Sequence, residues 1–357
     1  MSNNRIDALR KKIRAENLDG LIVNHLDYIR YLTGFTGTAG LLIIMNDSAH
    51  FFTDSRYTIQ AGKQVTGAKV VTVPAEPIAS LNGFNWLHKK NLRLGFDDQH
   101  LTVAQQARLK EKIPEVLLTP CEALLEDLGW VKDSQEIASI RRAVEIADVA
   151  FGRILQIIRP GIRERELAAE LEYQMAMLGS EKPAFESIVA SGYRSALPHG
   201  IASEKKVQKG DFITFDFGAT INGYVSDITR TVVAGKASPR QRKIYNIVLM
   251  AQKAGIKHVK AGRDCKKVDD ACRKIIKKAG FGKNFGHGTG HGIGYYIHVG
   301  PRIGPRSNDK LAVNHIVTIE PGIYIPGWGG VRIEDDVLVT KSGGQVLNKS
   351  PKNLLEL

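Results

Sequence analysis

Asp216 and Asp227 lie eleven positions apart in apolar, strand-like sequence, and Glu320 and Glu334 lie fourteen apart in a second such stretch. Between the pairs runs Gly286-His-Gly-Thr-Gly-His-Gly-Ile-Gly294, in which two histidines, a threonine and an isoleucine are the only side chains. Four carboxylates and a histidine in these contexts cannot all be buried and charged without a cation to pair with. The combination is the ligand set of a two-metal hydrolase. Oxygen-dominated ligation with one imidazole suits Mn²⁺, Co²⁺ or Fe²⁺ at least as well as Zn²⁺, which more often gathers histidine and cysteine. Two such ions ~3.5–4 Å apart would activate water and polarise a carbonyl, which is the chemistry of hydrolysis.

The spacing of the acids matters as much as their type. Segments 212–219 and 224–233 flank Thr220-Ile-Asn-Gly223, a hairpin turn signal. In a hairpin closed by an even loop, opposed residues differ by an odd number. The odd spacing of Asp216 and Asp227 therefore sets them on one sheet face, opposite or diagonal. Glu320 and Glu334 are an even distance apart and share a face only across an odd loop or a bulge. Pro326-Gly-Trp-Gly-Gly330 is a five-residue loop candidate, and Pro321-Gly322 a bulge candidate. Asp335 and Asp336 are expected to point outward or cap the strand end. A phosphate cradle in the glycine run would need a strand before it and a helix after it, and Tyr295-Tyr-Ile-His298 suits a strand better. The alternating glycines are read instead as letting backbones approach closely, so that one histidine faces the carboxylates.

The scaffold that must position these groups divides in two. A helix over 5–16, strands at 20–23, 41–45, 49–53 and 93–96, and a helix over 102–112 describe a small α/β domain, placed at residues 1–125. It has no carboxylate or histidine cluster of its own. The stretch 121–134 reads as the junction. A helix follows over 135–158, with Ser134 as N-cap and Pro160-Gly161 as its stop, then a helix over 165–178 and strands at 188–190, 211–219 and 224–234. Helices over 239–259 and 265–279 and further strands repeat the order. The duplication predicts a pseudo-symmetric α+β domain over 133–357 whose halves each supply one carboxylate pair.

A chain of 357 residues exceeds one ordinary core, and 43% hydrophobic residues is a globular composition. Three cysteines cannot form a disulfide framework; Cys265 and Cys272, seven apart on one helix face, are read as buried thiols. With no signal segment and no apolar run of about 18 residues, the expected location is cytoplasmic, with no membrane contact. The formal charge of +13 is concentrated near residues 253–283. It is read as a solvated helix surface, with nonspecific attraction to nucleic acid or acidic peptides as the alternative. Aromatic interleaving and nucleic-acid motifs are absent, so no specific nucleic acid is expected.

The residues resemble the pita-bread metallopeptidases, which include methionine aminopeptidase, prolidase and aminopeptidase P. Five motifs occur in the family's order: Phe215-Asp-Phe-Gly218, Ser226-Asp-Ile-Thr-Arg230, Gly288-Thr-Gly-His-Gly-Ile-Gly294, Ile319-Glu-Pro-Gly-Ile-Tyr324 and Val331-Arg-Ile-Glu-Asp-Asp336. They cover about residues 133–340. The resemblance implies metal ligands Asp216, Asp227, His291, Glu320 and Glu334, with Asp227 and Glu334 bridging two divalent ions, Mn²⁺ foremost. It also implies that His199, in Pro198-His-Gly200, contacts the leaving nitrogen and that His298 steadies the carbonyl oxygen as it becomes anionic. Glu320 is the candidate proton shuttle, and Arg332 is expected to orient a ligand carboxylate.

One departure is visible. Family members usually carry an acid directly after the second histidine, and this chain has Val299. At the amino-terminal end, Tyr31-Leu-Thr-Gly-Phe-Thr-Gly-Thr-Ala-Gly40 and Thr53-Asp-Ser-Arg-Tyr57 resemble the leading domain of bacterial Xaa-Pro aminopeptidases. The resemblance thus implies a dinuclear aminopeptidase removing the first residue from peptides with proline second, acting as a homodimer. An Xaa-Pro dipeptidase, which must grip the substrate's C-terminal carboxylate, is the nearest alternative. A non-catalytic pita-bread protein binding RNA or an acidic protein is the third reading, disfavoured because all five ligands are present.

Overall fold

The structure, a computed structural model, describes residues 2–121 and 123–357. Met1 and Glu122, which fall within the expected amino-terminal domain and junction, lie outside the described residues. The chain forms two compact units, Met1–Gly129 and Trp130–Leu357.

In the first unit, four of the six strands coincide with apolar runs in the sequence: β1 (Gly20–Val23), β2 (Leu41–Met45), β3 (Ala49–Asp54) and β5 (Arg93–Phe96). The other two, β4 (Lys69–Val73) and β6 (Leu117–Pro120), are edge strands that the sequence reading did not include. Both carry strand-forming residues, Lys69-Val-Val-Thr-Val73 being β-branched at four of five positions and Leu117-Leu118 following Val116, although as edge strands their side chains are largely exposed or half-buried. The sheet runs β4-β3-β2-β1-β5-β6, with β1, β2 and β3 antiparallel and the outer pairings parallel. Ile22, Ile43, Phe52 and Leu94 build its core with Leu109 of helix Val103–Lys112.

The second unit opens on helix Ser134–Ile154. Asp133, not Ser134, is its N-cap: the Asp133 carboxylate accepts from Gln135 N at 2.8 Å and Glu136 N at 2.9 Å. Glu136 reaches back to Asp133 N at 2.6 Å, completing a capping box. An ionised carboxylate at the positive helix end outcompetes the adjacent serine. Helix Ser134–Ile154 packs on Glu164–Met177, and Phe151, Leu167 and Leu171 meet Val189, Phe215 and Phe217 of a sheet ordered β11-β8-β7. These strands are β7 (Ile188–Ser191), β8 (Phe212–Phe217) and β11 (Ile228–Val233), with the short β9 (Thr220–Ile221) and β10 (Tyr224–Val225) between the last two.

The second half repeats the plan. Helices Pro239–His258 and Cys265–Lys278 pack together, and Val248, Ala251, Val268 and Cys272 form a core with Val317, Ile319, Val331 and Val337. Its strands are β12 (Gly290–Gly292), β13 (Val299–Ile303), β14 (Ile316–Ile319), β15 (Gly322–Ile325), β16 (Gly329–Arg332), β17 (Asp335–Val339) and β18 (Gly344–Val346). Five form the sheet β13-β12-β14-β17-β18, and β15 pairs with β16. Burial pushes the Cys265 and Cys272 thiols up to about 12, as inert packing groups.

Asp335 and Asp336 do not point outward; both are fully buried. Asp335 accepts from Arg230 Nη2 at 2.8 Å, Gln252 Nε2 at 2.7 Å and Lys352 Nζ at 2.5 Å. Burial alone would raise the Asp335 carboxyl, but Arg230 and Lys352 outweigh it and hold it low. Arg230, itself buried, also donates to the carbonyls of Glu334, Ser350 and Pro351, fastening the carboxy-terminal segment behind the site. Arg230→Met should therefore cost about 3 kcal/mol by removing one of the two cations on Asp335 and leaving three carbonyls without this donor. Denaturant unfolding measures the loss, and Arg230→Lys should recover only part of it because an ammonium cannot reproduce the fork.

Candidate metal centre

The aspartate hairpin turns at Asn222-Gly223, whose φ angles of 53° and 80° are those of a two-residue I′ turn. Tyr224 faces Ile221 and Thr229 faces Asp216, in one continuous register. That register sets Asp227 opposite Gly218 and diagonal to Asp216. The ladder opens at this point. Asp227 N turns away from its hairpin and donates to Asp336 Oδ2 at 3.0 Å. A Cβ on Gly218 would lie 1.8 Å from Ser226 O, so only glycine permits the crossing.

The glutamate hairpin is built alike. β14 pairs with β17 so that Ile319 faces Asp335, and β15 pairs with β16 so that Gly322 faces Arg332. The two ladders share one register, which sets Glu320 directly opposite Glu334 in the gap between them. The loop has three residues, 326–328, rather than five, because Gly329 and Gly330 pair with Ile325 and Tyr324. Either length is odd, and oddness is what the even spacing required. In the gap, Glu320 N donates to Thr289 O at 2.8 Å and Glu334 N to Thr229 O at 3.1 Å. Pro321, lacking an N–H, leaves no donor stranded there.

His291 is carried by β12, wedged between β13 and β14. A Cβ at Gly290 would sit 1.9 Å from Thr318 O, and one at Gly292 would sit 2.1 Å from Gly300 O. Close backbone approach thus accounts for two of the alternating glycines. The segment 295–298 is not a strand; Gly294 N bonds Tyr296 O two residues on, and the chain bends until β13 begins at Val299.

The structure brings Asp227, His291 and Glu334 together, with one donor atom from each within 4.8 Å of the others. His291 Nε2 lies 3.6 Å from Asp227 Oδ2 and 3.5 Å from Glu320 Oε1. Asp216 stands one step aside, its Oδ2 bonded to Arg332 Nη2 at 2.5 Å. All five line one cavity of 990 Å³, whose wall also carries His199, His298 and Arg332. Asp227 Oδ1 and Asp216 Oδ1 are buried with no hydrogen-bond donor among the described residues. Acceptor-only oxygens stranded among other carboxylates fit a cation and little else.

Electrostatics agree with that fit. Burial drives the Asp227 and Glu334 carboxyls far above the ordinary range, and neighbouring carboxylates add to the effect. Burial lifts Glu320 to about 7, against the opposing pull of Arg332. Burial, with His298 nearby, lowers His291 to about 3, so its imidazole is neutral. His291 Nδ1 faces Gly292 O at 3.1 Å; a carbonyl can only accept, so Nδ1 carries the proton and Nε2 presents its lone pair to the acids.

A second ring of contacts orients the acids. Thr229 Oγ1 donates to Glu334 Oε2 at 2.6 Å and accepts from Arg332 Nε at 3.0 Å. Arg332 Nη1 donates to Tyr324 OH at 2.9 Å, and Tyr324 in turn meets His287 Nε2 at 2.9 Å. His287 Nδ1 donates to Gly288 O at 2.7 Å, so Nε2 accepts the tyrosine proton. Burial and then Arg332 lower His287 to about 4. His298 stands exposed at the cavity wall, its ring edge-on to His291 with centroids 4.4 Å apart, and His199 is exposed on the same cavity.

Sequence reasoning missed Tyr324, His287 and Asp336 as supports, and it missed Arg302. The Arg302 side chain is exposed on the cavity wall in β13, four residues after His298. It acts electrostatically on both His291 and His298. Among the described residues no carboxylate pairs with its guanidinium. The available signal was a single cation in an otherwise uncharged strand following the second histidine.

A duplicated helix-and-sheet domain that gathers Asp227, His291 and Glu334 on one cavity with further carboxylates has the features of a metallohydrolase. The chain belongs to metallopeptidase family M24, which it matches over residues 138–341, preceded by a match to the creatinase/prolidase N-terminal domain over residues 5–128. Membership implies a dinuclear metal site in the pita-bread domain. Among solved structures, the chain is similar to an Xaa-Pro dipeptidase from Bacillus anthracis, with 44% identity, a TM-score of 0.96 and full coverage of both chains (100% of each). It is also similar to an X-Pro aminopeptidase from Thermotoga maritima, with 37% identity and a TM-score of 0.89 over 98% of this chain and 99% of that one. An Xaa-Pro dipeptidase of Pyrococcus furiosus is 40% identical over 282 residues, covering 78% of this chain and 81% of the relative.

Proposed function

We propose that the protein is an Xaa-Pro dipeptidase, and the observation that carries this is Arg302. A dipeptidase must hold the free carboxylate of its C-terminal proline, and an exposed guanidinium without an acidic partner in the cavity wall suits that task. The sequence reading put the Xaa-Pro aminopeptidase first. The relatives named as Xaa-Pro dipeptidases, together with Arg302, support the other order. The X-Pro aminopeptidase relative keeps the first reading as the rival.

Two divalent ions bound by Asp216, Asp227, His291, Glu320 and Glu334 would supply water activation and carbonyl polarisation, with Mn²⁺ the proposed metal. The chain's own groups do the rest. Glu320, a carboxylate on the wall of the same cavity, is the group proposed to take up and pass on the proton of the attacking water. His298 is placed to donate to the carbonyl oxygen as negative charge develops, and His199 to contact the leaving nitrogen. Arg332 holds Asp216 and, through Thr229, orients Glu334. Buried Val299 contributes no polar group beside His298. No helix of the described residues is long and apolar enough to cross a membrane. A cytoplasmic homodimer acting on peptide substrates completes the proposal, the dimer resting on family resemblance.

The deciding experiment compares Xaa-Pro with Xaa-Pro-Xaa-Xaa on Mn²⁺-loaded protein. Preference for the dipeptide is expected, and equal or better cleavage of the tetrapeptide would restore the aminopeptidase reading. His298→Ala should lower kcat by about 10²–10³ with metal content unchanged, as elemental analysis would show. A fall in bound metal would mean that His298 supports ligands rather than the oxyanion.

A further inference from the structure

Residues 240–283 hold fourteen lysines and arginines against three acids, Asp264, Asp269 and Asp270, so that this segment carries +11 of the chain's +13. The two helices it contains, Pro239–His258 and Cys265–Lys278, pack side by side with their apolar faces in the core. Thirteen of the fourteen cations are exposed; only Arg273, tied to Asp269, is half-buried. Of those thirteen, Arg242 pairs with Glu356 and Lys267 with Asp264, and the other eleven have no carboxylate within 4.0 Å among the described residues. Helical spacing sets Lys253 and Lys257 on one outward face of the first helix, with exposed Lys260 just past its end, and Lys274, Lys277 and Lys278 on one outward face of the second.

We propose that this two-helix face binds the phosphate backbone of duplex nucleic acid without regard to sequence, an activity separate from the peptidase site. Charge complementarity alone would admit any polyanion, but the composition of the face narrows the choice. Partner proteins are anchored by exposed aromatic and large apolar residues, and membrane-surface helices by an apolar stripe. Single strands are held by stacking on aromatic rings. Met250 is the one large hydrophobic exposed on this stretch, and no aromatic side chain there is exposed. A predominantly cationic surface, with Asp270 its one exposed acid, on a helix about 30 Å long matches about one turn of duplex, whose phosphates offer a charge roughly every 1.7 Å. The same absence of base-reading groups fits the lack of any sequence-specific motif.

The test uses the full-length protein and a fluorescent 30-base-pair duplex of arbitrary sequence, titrated by anisotropy from 50 to 200 mM salt. The wild type should bind at 150 mM salt and weaken by about 10³-fold across that range, as expected for some six phosphate contacts. Changing Lys253, Lys257, Lys260, Lys274, Lys277 and Lys278 to glutamine should weaken binding at least ~100-fold at 100 mM salt and flatten the salt dependence, since each lost contact removes about 0.9 from the slope. Thermal midpoint and peptidase turnover should stay at wild-type values. A variant with six lysines neutralised elsewhere (Lys11, Lys63, Lys89, Lys90, Lys110 and Lys341) has the same net charge and should bind within ~3-fold of wild type, apart from the general field of the protein. The proposal is overturned if the duplex does not bind at 150 mM salt, or if both variants weaken equally. Equal or tighter binding to poly-glutamate or to phosphatidylserine vesicles would overturn it as well.

Discussion

Glu334→Gln should reduce kcat/KM on an Xaa-Pro dipeptide by at least about 10³-fold, or ~4 kcal/mol of transition-state stabilisation. The same variant should raise the thermal midpoint of the metal-free protein. Both follow from one observation: Glu334 is 2% exposed and Asp227 5% exposed, in a cluster of like charges. Without a cation, ionising these groups is unfavourable, which is why their carboxyls titrate far above the ordinary range. An acid whose folded pKa is raised binds more protons folded than unfolded. Its stabilising contribution is full below the ordinary carboxylate range and is lost as pH rises toward the raised folded value. Metal-free wild type should thus melt lower at pH 8 than at pH 5, and Glu334→Gln should flatten that slope. Metal addition should release protons, seen by calorimetry in buffers of different ionisation enthalpy. Wild-type turnover by Glu334→Gln, or full metal retention on dialysis, would remove Glu334 from the ligand set.

Arg302→Met should raise KM for Xaa-Pro dipeptides by about 10–100-fold, the loss of one charge-assisted contact, and leave kcat little changed. Xaa-Pro amides lack the carboxylate and should be cleaved equally by both proteins. A contact made alike in ground and transition states has this signature. Equal loss on acid and amide would show that Arg302 acts on His298 or His291 instead, and the dipeptidase assignment would lose its main support.

The aspartate pair was legible because an odd spacing and an Asn-Gly turn leave one register, and the structure adopts it. The glutamate pair was legible only as a condition, an odd loop, since sequence alone does not say whether Gly329 and Gly330 join the strand or the turn. Asp335 and Asp336 were misjudged because adjacent acids at a strand end ordinarily face water. Their burial depends on Arg230 and Asn348, partners 105 and 12 positions away, and on the backbone of Asp227. Tyr324 and His287 bond each other across 37 positions, with nothing local to pair them. In the amino-terminal unit the interior strands announced themselves by apolar runs; β4 and β6, at the sheet margins, carry shorter runs, Val70-Val-Thr-Val73 and Val116-Leu-Leu118, that were legible and passed over. Helix ends were off by a few residues, and Asp133 displaced Ser134 because a carboxylate caps better.

In each hairpin the gap beside an acid is closed by the other hairpin: Asp227 N is held by Asp336, and Glu334 N by Thr229 O. Neither half of the domain can shape its own acids in isolation. Co-expressed fragments severed between the two halves would have to dock before either became competent. The ions, drawing oxygens from both sides of that seam, would then behave as a rivet, making chelation a solvent for fragment assembly as well as a brake on turnover.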